Sequence, residues 1–439
     1  MVINPVIQYQ QIFEKGNSQN LFSNNRGISV RGIIGKKVGF DVYVTDNQER
    51  DPLYVQRFIE KFKTTPGVRF AKTFKAPGGV DYFDARGSIS FNASKYIDIQ
   101  LGYNRNFIGD GYRSLLLSDF SPNALFLKFN TRIWKFNYEN LFMELVPGSN
   151  EILGSHNAVV SRKYFRMNYL SFNATKWLNV GIFDAVVFGR KDHFDFQYLI
   201  PVMFLRPAES DIGSGDNAIV GLNVKANIKN KVQVYGQLVL DELHVKEFFK
   251  NTGNWVNKSG YQLGIKYPDA FGINNLDLQI ENNRIRPFTY SHFDSVSDYS
   301  HENQALAHPL GANFQENIAI VKYQPLKHLY LTAKVIYYIQ GLDSLGINYG
   351  ANILRNYNTR GQDSVFRGVK RDLGYFIGSG DKVTSLNVSF LASYEVLENM
   401  FVDAGVQYRT YNRAIEGNSN TTIVSLGFRW NIARRVFDF

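Results

Sequence analysis

Apolar residues alternate with small, polar or charged residues in short segments along the whole chain. In residues 217–227 the apolar positions are Ala218, Val220, Leu222, Val224 and Ala226. The same period of two recurs in residues 384–394, 402–409 and 424–432. Because successive side chains of a strand point to opposite faces, this pattern predicts β-strands with one apolar and one polar face.

A soluble β-sandwich has the same alternation, so the lengths of the connections must decide between a sandwich and a membrane barrel. Short turns join the predicted strands at residues 35–36, 92–95, 131–132, 173–176, 229–231, 324–327 and 395–399. Long connections lie between these hairpins, roughly at residues 47–84, 105–122, 143–163, 185–216, 241–259, 284–316 and 341–383. Outer-membrane barrels have tight turns at one end and long loops at the other. The connection lengths therefore favour a barrel.

Strand count and composition agree with one large barrel. About eight hairpins, with a first strand near residues 3–12 and a last one at 421–432, give roughly 18 strands in one domain over residues 1–439. Phe, Trp and Tyr make up 15% of the chain, which suits rings at two lipid interfaces. Lipid offers no hydrogen bonds, so the sheet must close on itself. We predict an all-β protein, a closed antiparallel transmembrane β-barrel in the outer membrane of a Gram-negative cell.

The ends of the chain and two loops carry further signals. The chain ends in Phe439 after an alternating strand, which resembles the terminal signal of outer-membrane barrels. The N-terminal residues have no basic and apolar export signal, so we expect that one has been removed. Residues 51–63 predict a helix with Asp51 as N-cap and Pro52 in its first turn. Residues 194–205 are too apolar for a solvated loop, and we predict that they plug the mouth as a constriction.

Charged residues are dispersed along the chain. The net charge of +10 suits nucleic acid, anionic lipid or an acidic glycan, but without a basic cluster we expect no nucleic-acid partner. The polar strand faces carry both signs and either solvate the lumen or form a path for polar solutes. These ionisable residues are Arg31, Asp41, Arg86, Asp98, Lys135, Glu139, Lys225, Asp277, Glu281, Asp403, Arg409 and Arg429.

Catalytic and metal-binding motifs are not evident in the sequence. The chain has no cysteine, and its histidines form no H-E-x-x-H pair. The segment Asp192-His193-x-Asp195 is the nearest constellation, and it is better explained by solvation of a loop. We predict no catalysis, no metal site and no cofactor.

Two segments contain candidate ligand-binding residues. Residues 106–119 leave a strand through two glycines and place Asp110, Tyr112 and Arg113 before three leucines. A Tyr and an Arg there can stack on and hydrogen-bond a sugar ring or an anionic group. The alternative is a structural turn that buries the leucines in the mouth. Arg206 and Glu209 in the second segment, F-L-R-P-A-E, either face a ligand or pair with each other.

With these segments in view, the sequence resembles the Wzi-like capsule assembly family and its relatives associated with surface gliding. The resemblance covers most of the chain. Its motifs are N-P-V at 4–6 before R-G-I-S-V-R-G, D-N-Q at 46–48 followed by P-L-Y-V, G-D-G-Y-R-S-L-L-L-S, and Y-L-I-P-V-M-F-L-R-P-A-E at 198–209. The chain lacks the N-terminal helical part of the capsule proteins, so no periplasmic contact is carried over. The family implies an 18-stranded barrel with a plugged lumen.

The resemblance also implies a function. The family's role is to bind or anchor surface polysaccharide in a lectin-like, non-catalytic way. The implied partners are membrane lipid, lipopolysaccharide, surface polysaccharide and other outer-membrane proteins. Two alternatives stay open at this stage: a porin or substrate channel, and a scaffold for surface adhesion or gliding motility.

Overall fold

Antiparallel strands form a closed barrel in the computed structural model of the protein, which describes residues 1–68, 71–75, 77–148, 161–189, 193–200, 203–205, 215–362 and 369–439. Its strands are β1 (Val2–Glu14), β2 (Leu21–Ile34), β3 (Val38–Arg50), β4 (Lys72–Thr73), β5 (Gly79–Ser94), β6 (Ile97–Asn104), β7 (Ala124–Ile133), β8 (Phe136–Leu145), β9 (Lys163–Asn173), β10 (Leu178–Phe188), β11 (Asn217–Ile228), β12 (Val232–Glu242), β13 (Lys258–Tyr267), β14 (Leu276–Ile285), β15 (Ser300–His301), β16 (Gln304–Ala305), β17 (Phe314–Leu326), β18 (Leu329–Leu342), β19 (Asp381–Leu397), β20 (Met400–Arg413) and β21 (Gly417–Trp430).

The barrel wall contains all of these strands except β4, which pairs beside β5, and the hairpin β15–β16. Each wall strand pairs with its neighbours in sequence, and β1 pairs with β21, where Tyr9 lies opposite Phe428. The predicted closed barrel and its strand number are therefore confirmed. The predicted outer-membrane location agrees with this closure, because a wall that spans lipid must have every strand edge paired.

Connections at the two ends of the barrel differ in length as predicted. At the short-turn end the strands join through tight turns, although the turn predicted at 131–132 lies at 134–135. At the long-loop end the long connections are residues 51–78, 105–123, 146–162, 189–216, 243–257, 286–313 and 343–380, while residues 15–20 and 414–416 are short turns at the same end. The short turns face the periplasm and the long loops face outward, as in other barrels of this kind.

The outward face of the wall is apolar. Leu263 and Ile280 have exposed fractions of 60% and 61% and point to lipid. Aromatic rings lie at the short-turn end, where Trp134 and Trp177 are exposed. Such rings mark the boundary between hydrocarbon and headgroups.

An arginine on this apolar band should weaken insertion. Leu263 lies on β13 about four residues above the short-turn end, so Leu263→Arg is expected to cost about 2–4 kcal/mol of folding free energy in vesicles. Leu326→Arg is a matched control because Leu326 is equally exposed but lies beside a turn, where the expected cost is about 0–1 kcal/mol. Urea titration of folding into phospholipid vesicles measures both. Equal costs for the two variants would contradict the assigned lipid-facing band.

The lumen is partly a dry core, which corrects the prediction that the second strand face is wet throughout. The inward residues of β7 to β10 are apolar in their upper halves, and they include Phe126, Leu141, Met143, Phe165 and Phe183. They pack on Leu115, Leu116 and Leu117 from the loop of residues 105–123 and on Leu306 from the loop of residues 286–313. The period of two does not reveal this core because it requires long loops to fold back into the barrel.

Helix α1 (Leu53–Phe62) lies in the loop of residues 51–78, as predicted, but its cap differs. Pro52 occupies the N-cap position, and the carboxylate of Glu14 in β1 accepts a hydrogen bond from the Leu53 amide at 2.9 Å. Asp51 is buried instead of capping the helix. Shorter helical turns are found at Phe196–Leu199, Val245–Phe248, Ala270–Gly272 and Tyr357–Thr359. None of the helices in the described ranges combines the length and apolarity that crossing a membrane requires.

The prediction that residues 194–205 constrict the mouth is wrong for the described part of this segment. Tyr198 packs on Phe188 with ring centroids 4.4 Å apart, and the Leu205 amide donates to Asp184 at 2.9 Å. Asp184 lies opposite Val220, which faces lipid, so the segment covers the outside of the wall. Arg166 on the same outer face donates to the Tyr198 carbonyl at 3.0 Å. Polar groups bare to lipid are costly, which explains why the segment covers them.

The end of the chain forms a segment beyond the last strand. The last strand ends at Trp430, and residues 431–439, here called the tail, return into the lumen. Phe439 therefore does not terminate a strand. It packs against Phe58 of α1 and Phe120, with ring centroids 4.8 and 6.0 Å away.

Candidate functional site

The glycine-rich segment 106–119 lies inside the barrel, against the wall. Gly109 has a φ of 143°, and a Cβ there would lie 2.4 Å from the side chain of Gln237. A Cβ on Gly111 would lie 2.6 Å from Gln262. Only glycine allows this close approach, so the two glycines seat the segment on β12 and β13. The alternative interpretation, a turn that buries Leu115 to Leu117, is confirmed by exposures of 0%, 0% and 1%.

The three predicted ligand-binding residues of this segment contact protein groups. Lys225 donates to the Asp110 carboxylate at 2.7 Å. The backbone amides of Tyr112 and Arg113 donate to the Glu281 carboxylate at 2.6 and 3.0 Å. The structure thus brings Asp110, Tyr112 and Arg113 together inside the lumen, and their role in binding an external ligand stays a prediction.

Arg113 connects the wall to the tail. Its guanidinium lies 3.2 Å from Glu316 in β17 and 3.2 Å from Asp438. Burial by itself lowers the pKa of Arg113, but the two carboxylates outweigh it and hold this pKa above its usual value. Burial likewise raises the pKa of Asp438, and Arg113 and Lys334 reverse this, so the pKa lies well below its ordinary range. Both groups are therefore charged at neutral pH.

Arg206 and Glu209, the other two predicted site residues, lie outside the described residues, as do His156 and Asp192. Whether Arg206 and Glu209 pair or face a ligand stays a prediction.

A cavity of about 410 Å³ lies in the barrel mouth, between α1, the loops and the wall. We call it the mouth cavity. Its volume is within the roughly 300–1,000 Å³ typical of small-molecule sites. Five half-buried aromatic residues line it, namely Tyr54, Phe62, Phe120, Tyr411 and Phe439. The cavity thus offers aromatic rings that are only partly covered by protein.

Basic side chains exceed acidic ones in this cavity. The acidic residues in its lining already have partners, because Asp343 pairs with Arg355 at 2.6 Å and Glu416 pairs with Arg413. Arg57 and Lys61 are exposed on α1 and form no ion pair within the described ranges. The cavity is therefore electropositive.

Arg409 adds a third cation between two rings of the cavity. Its guanidinium lies over Tyr54 at 4.7 Å and over Tyr411 at 4.9 Å. The attraction between the guanidinium and the two ring faces holds these side chains together. Rings and cations thus contact one another in the lining of the cavity.

A second cavity of about 170 Å³ lies deeper in the lumen and is called the lower cavity. Tyr54 lines both cavities, and the tail separates them, with Phe439 on the mouth side and Arg434 to Asp438 on the lower side. The lumen is consequently interrupted by the tail.

Sequence reasoning missed the residues that complete these sites. Arg57 and Lys61 lie in the helix predicted at residues 51–63 without a predicted role, and the residues after the predicted last strand at 421–432 have no predicted role except the resemblance of Phe439 to a terminal signal. The Arg434-Arg435 pair directly after a strand was an available signal, because two adjacent arginines cannot both alternate on a lipid-facing strand. The described residues contain no group of three or more His, Cys, Asp or Glu side chains placed to hold a metal ion.

The comparisons with known proteins show likeness at the level of the fold. No family model matches the chain, and no curated protein matches its sequence. Among solved structures, the chain is similar to Wzi of Escherichia coli, described as a carbohydrate-binding β-barrel involved in group 1 capsule assembly. The TM-score is 0.60 at 13% identity, over 98% of this chain and 85% of Wzi.

Two other solved structures are similar over comparable lengths. OprD of Pseudomonas aeruginosa has a TM-score of 0.51 at 10% identity, over 98% of this chain and 95% of OprD. OccAB2 of Acinetobacter baumannii has a TM-score of 0.51 at 10% identity, over 98% of both chains. The chain thus has the fold of Gram-negative outer-membrane β-barrels.

Proposed function

We propose that this protein is a non-catalytic surface barrel that binds acidic polysaccharide in its mouth cavity and retains it at the cell surface. The observation that carries the proposal is the combination of half-buried rings with the unpaired cations Arg57 and Lys61 in one cavity. Capsule retention is the role that follows if the bound glycan is a capsular one.

The chemistry of the cavity suits acidic sugars. A sugar ring presents C–H groups to an aromatic face and hydroxyl groups to polar neighbours, and both kinds of surface line this cavity. A uronate carboxylate pairs well with arginine, which presents several N–H donors in one plane. Phe58 and Phe439 close the cavity below, so a bound glycan has little room to pass through.

Likeness to Wzi supports a carbohydrate ligand, since Wzi is described as carbohydrate-binding. Membrane lipid surrounds any such barrel, and we propose lipopolysaccharide as the lipid that meets its outer rim. The proposed glycan meets the opposite, long-loop end.

A solute channel is the second candidate function. The likeness to OprD and OccAB2 supports it, and so does the lower cavity, which extends polar space toward the short-turn end. A scaffold for adhesion or gliding motility stays a prediction that no described contact favours.

Reversing the two free cations of α1 tests the first candidate. The double variant Arg57→Glu, Lys61→Glu is expected to bind a polyuronate at least tenfold more weakly than wild type, because each carboxylate of the glycan then meets a like charge. Binding of the intact protein in detergent to immobilised polyuronate, with neutral dextran for comparison, measures the effect. Lys37→Glu with Lys95→Glu is the matched control, since these lysines are exposed in turns at the opposite end.

The outcomes separate the candidate functions. Loss of binding only in the α1 variant supports the glycan-binding barrel. Equal loss in both double variants would mean that polyuronate binding depends on the net charge of the protein and not on the mouth cavity. No polyuronate binding by wild type, together with large ion conductance in a planar bilayer, would replace the proposal by the channel.

A further inference from the structure

The tail is attached inside the lumen as a separate segment. Asn431 has a φ of 56°, and its amide donates to the Asn399 carbonyl at 3.0 Å, which reverses the chain after β21. Residues 432–439 form no strand or helix. Releasing them would therefore leave the backbone hydrogen bonds between the wall strands intact.

Side chains of the lumen surround the Asp438 carboxylate. Arg113 lies 3.2 Å from its Oδ1 atom, and Lys334 and Tyr112 both donate to its Oδ2 atom. Arg113 also donates to the Asp438 carbonyl at 2.8 Å, and Lys334 donates to the Tyr112 hydroxyl at 2.8 Å. Two cations and a hydroxyl thus converge on one carboxylate. We call these three side chains the inner carboxylate site.

The inner carboxylate site is held in place by groups other than the tail. Glu316 fixes the second guanidinium nitrogen of Arg113, and the Glu281 carboxylate holds the Tyr112 and Arg113 backbone. Lys334 belongs to β18 of the wall. A site whose members are positioned in advance loses little entropy when a ligand replaces the tail.

Removing Asp438 would take a negative charge from between two cations. Among the described residues, Glu316 would then be the one carboxylate paired with the Arg113 guanidinium, and Lys334 would lose its carboxylate partner. The three side chains form charge-assisted hydrogen bonds with a planar carboxylate in the present structure, and the same geometry suits another carboxylate.

Space for such a ligand adjoins the site. Lys334 and Asp438 line the lower cavity, and Phe439 is part of the floor of the mouth cavity. Displacement of Asp438 and Phe439 would therefore connect the mouth to the inner carboxylate site. A small acid that enters the mouth can reach the site only in competition with the tail.

We propose that Arg113, Lys334 and Tyr112 form a binding site for the carboxylate of an acidic sugar, and that the tail occupies this site through Asp438. The assignment of the carboxylate to an acidic sugar rests on the proposed function, whereas the carboxylate-binding site itself does not. Tyr112 and Arg113, predicted from the glycine-rich segment, would then bind ligand once the tail has left.

Titration of the intact protein in detergent with sodium glucuronate, followed by calorimetry, tests the proposal. Asp438→Ala is expected to bind glucuronate at least tenfold more tightly than wild type, and glucose should not bind to either protein at the same concentration. The double variant Asp438→Ala, Arg113→Gln should lose the gain. Asp403→Ala is the matched control, because it frees Arg429 from a 2.7 Å ion pair elsewhere in the lumen.

The proposal is overturned if Asp438→Ala binds glucuronate no better than wild type, or if Asp403→Ala gains as much. A second measurement tests the proposal even if the Asp438→Ala variants fold poorly. Free glucuronate added to the single variant Phe437→Cys should speed the labelling of this cysteine by a thiol reagent, because Phe437 is half-buried in the lower cavity and the natural chain has no cysteine. Unchanged polyuronate binding on reversing Arg57 and Lys61, with the glucuronate gain of Asp438→Ala intact, would overturn the proposed function alone.

Discussion

Replacing Lys163 with alanine is expected to lower the free energy of unfolding by about 3–5 kcal/mol, because it leaves a buried carboxylate without its cation. The Lys163 ammonium lies 2.7 Å from Asp298 and 3.2 Å from the Ser300 hydroxyl. The exposed fractions of the Lys163 and Asp298 side chains are 0% and 2%. Burial raises the pKa of Asp298, and the cation opposes this effect. Without Lys163, the carboxylate must either take up a proton or remain charged in a dry core.

Urea unfolding of the detergent-folded protein measures this loss. Arg26→Ala is the control, since the Arg26–Asp46 pair is exposed on both sides and is expected to contribute about 0–1 kcal/mol. The double variant Lys163→Met, Asp298→Leu should recover most of the stability, because apolar residues of similar size can replace a buried pair. A loss below about 1 kcal/mol in Lys163→Ala would mean that water reaches this pair.

The size of this effect follows from what the ion pair joins. Asp298 belongs to the loop of residues 286–313, and Lys163 belongs to the wall at β9. Tyr299 and Tyr290 of the same loop donate to the carbonyls of Leu116 and Leu115 at 2.6 and 2.7 Å. The ion pair therefore fixes one inner loop to the wall, and that loop fixes the segment that carries Tyr112 and Arg113.

Much of the barrel could be predicted from the sequence because a lipid-facing wall must repeat its pattern. Val224 and Phe390 alternate with polar neighbours and point outward as predicted. The lengths of the connections predicted which end of the barrel has short turns and which end has long loops. Both signals are local, so one sequence contains them without knowledge of distant contacts.

The remaining parts depend on contacts between residues far apart in sequence. Arg166 and Asp184 break the apolar outward pattern, and only the structure shows that Tyr198 and Leu205 cover them. The inward face of β9 is apolar where Phe165 meets Tyr299, 5.9 Å away. Alternation in the sequence predicts that the two faces of a strand differ in polarity, but it does not predict which residues each face contacts.

The candidate site was predictable in part for the same reason. Glycine spacing and residue type identified Tyr112 and Arg113 within one segment. Their partner Asp438 lies more than 300 positions later in the chain. Neither the mouth cavity nor the inner carboxylate site follows from any single segment, because each is built from α1, inner loops, the wall and the tail.

Deletion of the tail is expected to convert a poorly conducting barrel into an ion channel. The tail separates the mouth cavity from the lower cavity, and both are already lined by Tyr54. Without residues 431–439, the wall keeps all its strand pairs, while Arg434, Arg435 and Phe437 leave the lower cavity. Planar-bilayer recordings should then show discrete current steps that wild type rarely shows.

A point variant distinguishes an opened path from a damaged barrel. Arg435 pairs with Glu49 and donates to the Pro66 carbonyl at 2.6 Å, so Arg435→Ala removes one attachment of the tail and keeps its length. We expect brief openings in Arg435→Ala and sustained ones in the deletion, since the variant tail still returns to Arg113 and Lys334. Free glucuronate should lengthen the brief openings if it competes with Asp438. Equal, glucuronate-independent conductance in wild type and both variants would show that ions pass beside the tail, and the channel would then be the better account of this barrel.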